Sequence, residues 1–188
     1  MEVSMKKCVA LAVTGGIAAY KSAELCSLLM KMGYSVQVLM TENAQRFVTP
    51  LTFQTLSQRP VITSLWEHAD WRPQHVALAD EADLFVIAPA TANIIAKLAH
   101  GIADDAVSTF GATFEGPVLI APAMNPKMWR HAANLDNVEL LQERGVSIIG
   151  PAEGRVACGS ETEKGRMVEP DEIYAAIAAL LPLNEEEK

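Results

Sequence analysis

Asp83-Leu84-Phe85-Val86-Ile87-Ala88 is an apolar run behind one aspartate, and Pro89 stops it. A strand with one wet face alternates polar with apolar residues. An unbroken run rich in branched and aromatic side chains is what a strand covered on both faces requires. The pattern recurs on either side. Cys8 to Val13 is a second continuous run, ended by Gly15-Gly16, and Ser35 to Met40, Val61 to Thr63, Pro117 to Ala121 and Val146 to Ile149 read as further strands. Val61 to Thr63 is expected to be a brief edge strand.

Helical periods fall between these runs. Leu25, Leu28, Leu29 and Met32 recur at i, i+3, i+4 and i+7, with Gly33 placed to end the stripe. Short helical pieces broken at Pro50 are expected over 41–58, and helices over 94–99, 137–144 and 171–181, with a long loop over 150–166. Strand–helix alternation of this kind implies parallel strands joined by right-handed crossovers. The expected fold is therefore α/β: a single doubly wound, Rossmann-like domain of flavodoxin type, with about six parallel strands and helices on both faces. It is expected to span 1–183, with 184–188 a solvated tail.

Composition fits that outline and excludes several functions. In 188 residues, half are apolar and 20% are charged, enough apolar material to offset the ordering entropy of a folded chain. The net charge of −8 disfavours a polyphosphate backbone as partner, so no nucleic acid is expected. No run reaches the roughly 18 apolar residues of a spanning helix, and no membrane partner is expected. The opening lysines lead no apolar stretch long enough for a signal peptide. Cys8, Cys26 and Cys158 lie too far apart in sequence to suggest a disulfide framework, which suits a reducing cytoplasm. Glu67-His68-Ala69-Asp70 matches no zinc spacing, and no metal is expected.

In a doubly wound sheet, ligands bind beyond the carboxyl ends of the strands. The loops after Val13, Met40, Ala88 and Ala121 are therefore the candidate site. Thr14-Gly15-Gly16-Ile17-Ala18 would let a phosphate approach backbone N–H groups, or is a plain tight turn. It lacks the third glycine of the dinucleotide fingerprint, and Met40-Thr41 stands where a ribose-binding acid would be, which favours a mononucleotide. Thr91 either caps a helix or offers its hydroxyl to a ligand, and the two are compatible. Asn125, framed by Pro122 and Pro126, is either a rigidly held substrate group or an Asx turn. His75, in a loop before Val76, is by itself an ordinary surface histidine or a base. Cys158, in the polar segment Gly154 to Gly159 beside Arg155, differs from Cys8 and Cys26, which sit in apolar elements; nearby cations favour its thiolate.

Together these segments resemble the flavin-dependent cysteine decarboxylases, over residues 7 to about 181. Four motifs in order carry the resemblance: Thr14-Gly15-Gly16-Ile17-Ala18-Ala19-Tyr20-Lys21; His75 with the run from Ala82 to Asn93; Pro122-Ala123-Met124-Asn125-Pro126-Lys127-Met128-Trp129; and Ala157-Cys158-Gly159. The resemblance implies FMN, held between the subunits of a homotrimer, with trimers assembling into a dodecamer. It implies that Gly15, Gly16, Ile17, Thr41, Asn43, Thr91, Ala92, Asn93 and Ala123 line the FMN site. It further makes His75 the base beside the flavin, Asn125 the group that holds the substrate carboxylate, and Cys158 the proton donor, with Arg155, Ala157 and Met128 touching substrate.

The implied reaction converts 4′-phosphopantothenoylcysteine to 4′-phosphopantetheine in coenzyme A biosynthesis. A cysteine carboxylate has no electron sink, so direct loss of carbon dioxide would leave an unstabilised carbanion. Oxidising the CH₂–SH group to a thioaldehyde places the carboxylate β to C=S, and decarboxylation then gives a stabilised enethiolate that must be reduced and protonated. The alternatives are a peptidyl-cysteine decarboxylase of the same fold and a non-enzymatic FMN-binding regulator. One departure from the family stands in Cys158 to Met167, where Ser160-Glu161-Thr162-Glu163-Lys164 replaces the glycine-bearing centre of the usual clamp. The cysteine-ligating synthetase domain of some members is expected to be absent.

Overall fold

The computed structural model describes residues 6–66, 74–154 and 163–184. Along the chain run β1 (Cys8–Val13), α1 (Ala19–Lys31), β2 (Ser35–Met40), α2 (Pro50–Ser57), α3 (Gln74–Glu81), β3 (Leu84–Ala90), α4 (Ala92–His100), α5 (Ala106–Thr113), β4 (Val118–Pro122), α6 (Pro126–Trp129), α7 (Ala132–Glu143), β5 (Ser147–Ile148), β6 (Ala152–Glu153), β7 (Lys164–Arg166) and α8 (Pro170–Leu180). The first five strands in chain order form one sheet, β2-β1-β3-β4-β5, parallel at every junction. That is the flavodoxin-like winding, which reverses direction between β1 and β3 and opens a crevice there.

The apolar runs are unbroken because both faces are covered. Val9, Leu11 and Val13 of β1, with Leu84, Val86 and Ala88 of β3, pack into a core shared with α1 and α8. Ala10, Ala12, Phe85 and Ile87 face the opposite layer, where Ile94 and Ile95 of α4 and Phe110 of α5 close over them. Phe85 meets Phe110 edge to face at 4.8 Å between ring centroids, and Phe110 stacks on Phe114. Burying a side chain of this size contributes about 1.5–3 kcal/mol.

Three expectations change. The sheet has five strands, because the segment at Val61 to Thr63 makes only a single parallel bridge, Leu39 to Ile62; Pro60 before it has no N–H to extend the ladder. His75 lies in the first turn of α3 instead of a loop. The expected loop over 150–166 contains the antiparallel pair β6–β7. Pro50 starts α2 at a position where its missing N–H costs nothing. Residues 185–188 of the expected tail lie outside the described residues.

At the amino end of the sheet the polar groups answer one another. Arg59 donates to both carboxylate oxygens of Glu81, at 2.5 and 2.9 Å, and to Ser35 Oγ at 3.2 Å. The Asp83 carboxylate accepts the Cys8 N–H at 2.7 Å. Arg59 holds the Glu81 carboxyl below the usual range, while burial pushes the Cys8 thiol up to about 11.

Candidate active site

At the carboxyl end lies a cleft of about 1060 Å³, just above the ~300–1,000 Å³ typical of ligand sites. The loop after β1 forms its floor. Gly16 N–H donates to Thr14 O and Ala19 N–H to Gly16 O, folding the chain tightly into α1. A Cβ on Gly15 would stand 2.4 Å from Asn43 Cβ, so only glycine lets the loops after β1 and β2 approach this closely.

The loop after β3 supplies the second wall. Thr91 caps α4, its hydroxyl accepting the Ile94 N–H at 3.5 Å. The N–H groups of Ala92 and Asn93, in the first turn, have no partner within the helix, a setting that suits an acceptor-rich ligand. The loop after β4 supplies the third wall: Asn125 Oδ1 accepts the Lys127 N–H at 2.9 Å and caps the short α6, with Pro126 at its first position. Strand β7 closes the edge. Met124 N–H donates to Gly165 O at 2.9 Å, and a Cβ on Gly165 would lie 2.4 Å from Met124 O.

All nine residues expected to hold a cofactor line this one cleft: Gly15, Gly16 and Ile17 from the first loop, Thr41 and Asn43 from the second, Thr91, Ala92 and Asn93 from the third, and Ala123 from the fourth. Asn125 and Met128 join them. Asn125 thus makes the expected Asx turn and also lines the cleft. His75 is partly buried on α3 and is not among the lining residues. Arg155, Ala157 and Cys158 lie outside the described residues.

The cleft also holds charged pairs that the sequence reading did not connect. Lys21 donates to Glu169 at 2.8 Å, and Arg166 pairs with the other oxygen of the same carboxylate. Those bonds, that from Lys21 foremost, hold the Glu169 carboxyl below its ordinary range. Lys97 bridges Asp104 and Asp105 at 2.5 and 2.6 Å; burial pulls its pKa down, but the two carboxylates outweigh it and leave it raised. Glu42, two residues past β2, lines the cleft as well. The signal for Lys97 was its i+4 spacing from Asn93, legible once a helix begins at Ala92. Among the described residues no cluster of His, Cys, Asp and Glu side chains is arranged to hold a metal.

The donor set suits a phosphorylated heterocycle: glycine-loop and helix-terminal N–H groups, hydroxyls at Thr41 and Thr91, amides at Asn43 and Asn93, and apolar walls from Ile17, Ala123 and Met124. Comparison with known proteins points the same way. The model of the family described as Flavoprotein matches residues 2–182. The coenzyme A biosynthesis bifunctional protein CoaBC of Bacillus subtilis is 48% identical over 166 residues, covering 88% of this chain and 41% of that protein. The CoaBC protein of Escherichia coli is 45% identical over 187 residues, covering 98% and 46%. The chain thus spans less than half the length of these curated relatives. Among solved structures, a PPC decarboxylase mutant complexed with pantothenoylaminoethenethiol superposes with a TM-score of 0.82 at 29% identity, covering 93% of this chain and 98% of that one.

Proposed function

The chain belongs to the flavoprotein family, and on that premise we propose that it is an FMN-dependent decarboxylase converting 4′-phosphopantothenoylcysteine to 4′-phosphopantetheine in coenzyme A biosynthesis. The observation that carries this reading is the convergence, in one cleft at the switch point of the sheet, of the nine expected FMN residues with Asn125 and Met128. The similarity to the CoaBC proteins and to PPC decarboxylase supports the choice of substrate.

Gly15, Gly16 and Ile17 would hold the phosphate of FMN, and Thr91, Ala92, Asn93 and Ala123 its ring system. Bound there, FMN supplies a two-electron acceptor that the side chains lack, taking electrons from the substrate's CH₂–SH group and returning them. Asn125, anchored through Oδ1 at the start of α6, orients the substrate carboxylate. Cys158 delivers a proton to carbon in the closing step, and Arg155 and Ala157 touch substrate beside it.

His75 acts as the base from a neighbouring subunit. Its position on α3, away from the cleft of its own protomer, supports that arrangement, as do Ile17 and Tyr20, each 59% exposed on the cleft wall. The working assembly is accordingly a homotrimer, with a dodecamer of four trimers as the larger form, acting in the cytoplasm. Among the described residues no helix is long and apolar enough to cross a membrane.

The test is anaerobic incubation of the purified protein with 4′-phosphopantothenoylcysteine, read by mass spectrometry and flavin absorbance. The expected result is 4′-phosphopantetheine with the flavin returned to its oxidised state. Unchanged substrate beside bound FMN overturns the substrate assignment and favours a peptide C-terminal cysteine. Protein that neither carries nor takes up FMN overturns the flavin reading itself.

A further inference from the structure

The end of β3 is where the ladder of the sheet lapses. Register with β1 runs only to Ala12–Ile87, and register with β4 shifts between Ile87 and Ala90. Two hydroxyls serve the carbonyls in that stretch. Ser22 of α1, fully buried, donates to Ala88 O at 2.6 Å, and Thr14, 1% exposed, donates to Pro89 O at 2.6 Å.

A hydroxyl has one proton and two acceptor lone pairs. With its proton spent on Pro89, Thr14 Oγ1 accepts the Thr91 N–H at 3.2 Å, and it lies 3.3 Å from the Thr91 hydroxyl. Thr91 Oγ1 in turn accepts from Ile94 N–H. Beside this linkage, the donors offered to a ligand at this helix start are the N–H groups of Ala92 and Asn93 and the side chains of Thr91 and Asn93. Thr91 Cγ2 lies 3.7 Å from where a Cβ on Gly16 would stand, so the methyl as well as the hydroxyl of Thr91 faces the first loop.

We infer that Thr14 is a positioning residue for the flavin: its buried hydroxyl locks the loop after β3 to the loop after β1 and sets the direction of the donors at the start of α4. This rests on the FMN reading above. Ser22, outside the cleft, does the same bonding work for Ala88 without touching Thr91, and so serves as the purely structural counterpart.

The experiment compares wild type, Thr14→Val, Thr14→Ser and Ser22→Ala in three measurements: FMN affinity of the apoprotein, visible circular dichroism of the reloaded flavin, and hydrogen exchange of the Thr91 amide without flavin. Thr14→Val is expected to weaken FMN binding about 10- to 100-fold, to change the flavin's visible dichroism and to speed Thr91 exchange. Thr14→Ser, which keeps the hydroxyl and can be read if the valine variant folds poorly, restores all three. Ser22→Ala lowers the unfolding temperature with unaltered dichroism. Wild-type affinity and dichroism in Thr14→Val overturn the assignment. So does a Thr14→Ser protein that binds as poorly as the valine variant. Failure of the wild type itself to bind FMN, with the Thr91 amide still protected, overturns the flavin reading and this assignment with it.

Discussion

At its carboxyl end the sheet opens through Gly15 and Gly16 into a cleft, while at its amino end Arg59, Glu81, Ser35, Cys8 and Asp83 close on one another. Both ends are polar, and both carry ion pairs: Lys21–Glu169 and Lys97–Asp105 above, Arg59–Glu81 below. Charge does not distinguish them. What does is the backbone: the first turn of α4 leaves N–H groups facing no helical partner, whereas the Cys8 N–H below is taken by Asp83. A ligand site shows itself in donors left uncommitted beside open space.

Substitutions at the two ends should therefore separate function from stability. The largest effects belong to the chemistry. His75→Asn is expected to keep FMN and lose about 10²- to 10⁴-fold in turnover; activity near wild type would remove His75 from the reaction. Cys158→Ser should stall after loss of carbon dioxide, with the oxidised enethiol accumulating in the mass spectrum in place of 4′-phosphopantetheine.

Gly15→Ala sharpens the contrast next. Its methyl would meet Asn43 at 2.4 Å, and relieving that clash costs about 1–3 kcal/mol. The two loops must part, so FMN should bind more weakly by titration even where the variant remains folded. At the opposite end, Arg59→Ala should lower stability by roughly 1 kcal/mol in urea while FMN affinity stays unchanged, and a loss of FMN binding would erase the distinction between the ends.

The smallest effect is a pH dependence. The Glu81 pKa is lowered in the fold, so its stabilisation is complete above the unfolded value of 4.5 and disappears as pH falls through the lower folded value. Glu81→Gln should then be less stable than wild type by under about 1 kcal/mol near neutrality, with the gap closing in acid. Cys8 and Cys26, with thiols pushed up to about 11 and 12 by burial, should resist alkylation in the native protein at neutral pH.

The sheet was legible because burial on both faces leaves a plain mark, as in Leu84 to Ala88. Helix α5 was not: Ala-Val-Ser-Thr-Phe-Gly-Ala-Thr is nearly all small or β-branched, with no polar stripe to reveal a period, and its start depends on the Asp105–Ser108 capping box. The cleft residues were legible as loops after strands, and glycines and amides there have few other reasons to cluster. The Lys21–Glu169 pair was not, since 148 residues separate the lysine from the carboxylate it meets. Such pairs exist only once the crossovers have formed.

The lone bridge beside β2 has a consequence for solubility. An open parallel edge presents N–H and C=O groups to any passing extended chain. Here Met40 N–H donates to Ile62 O and Ile62 N–H to Val38 O, each at 2.9 Å, and the Gln37 side chain takes Pro60 O at 2.7 Å. The edge strand is thereby sealed along its inner half by a segment too short, and too close to a proline, to become a new edge itself.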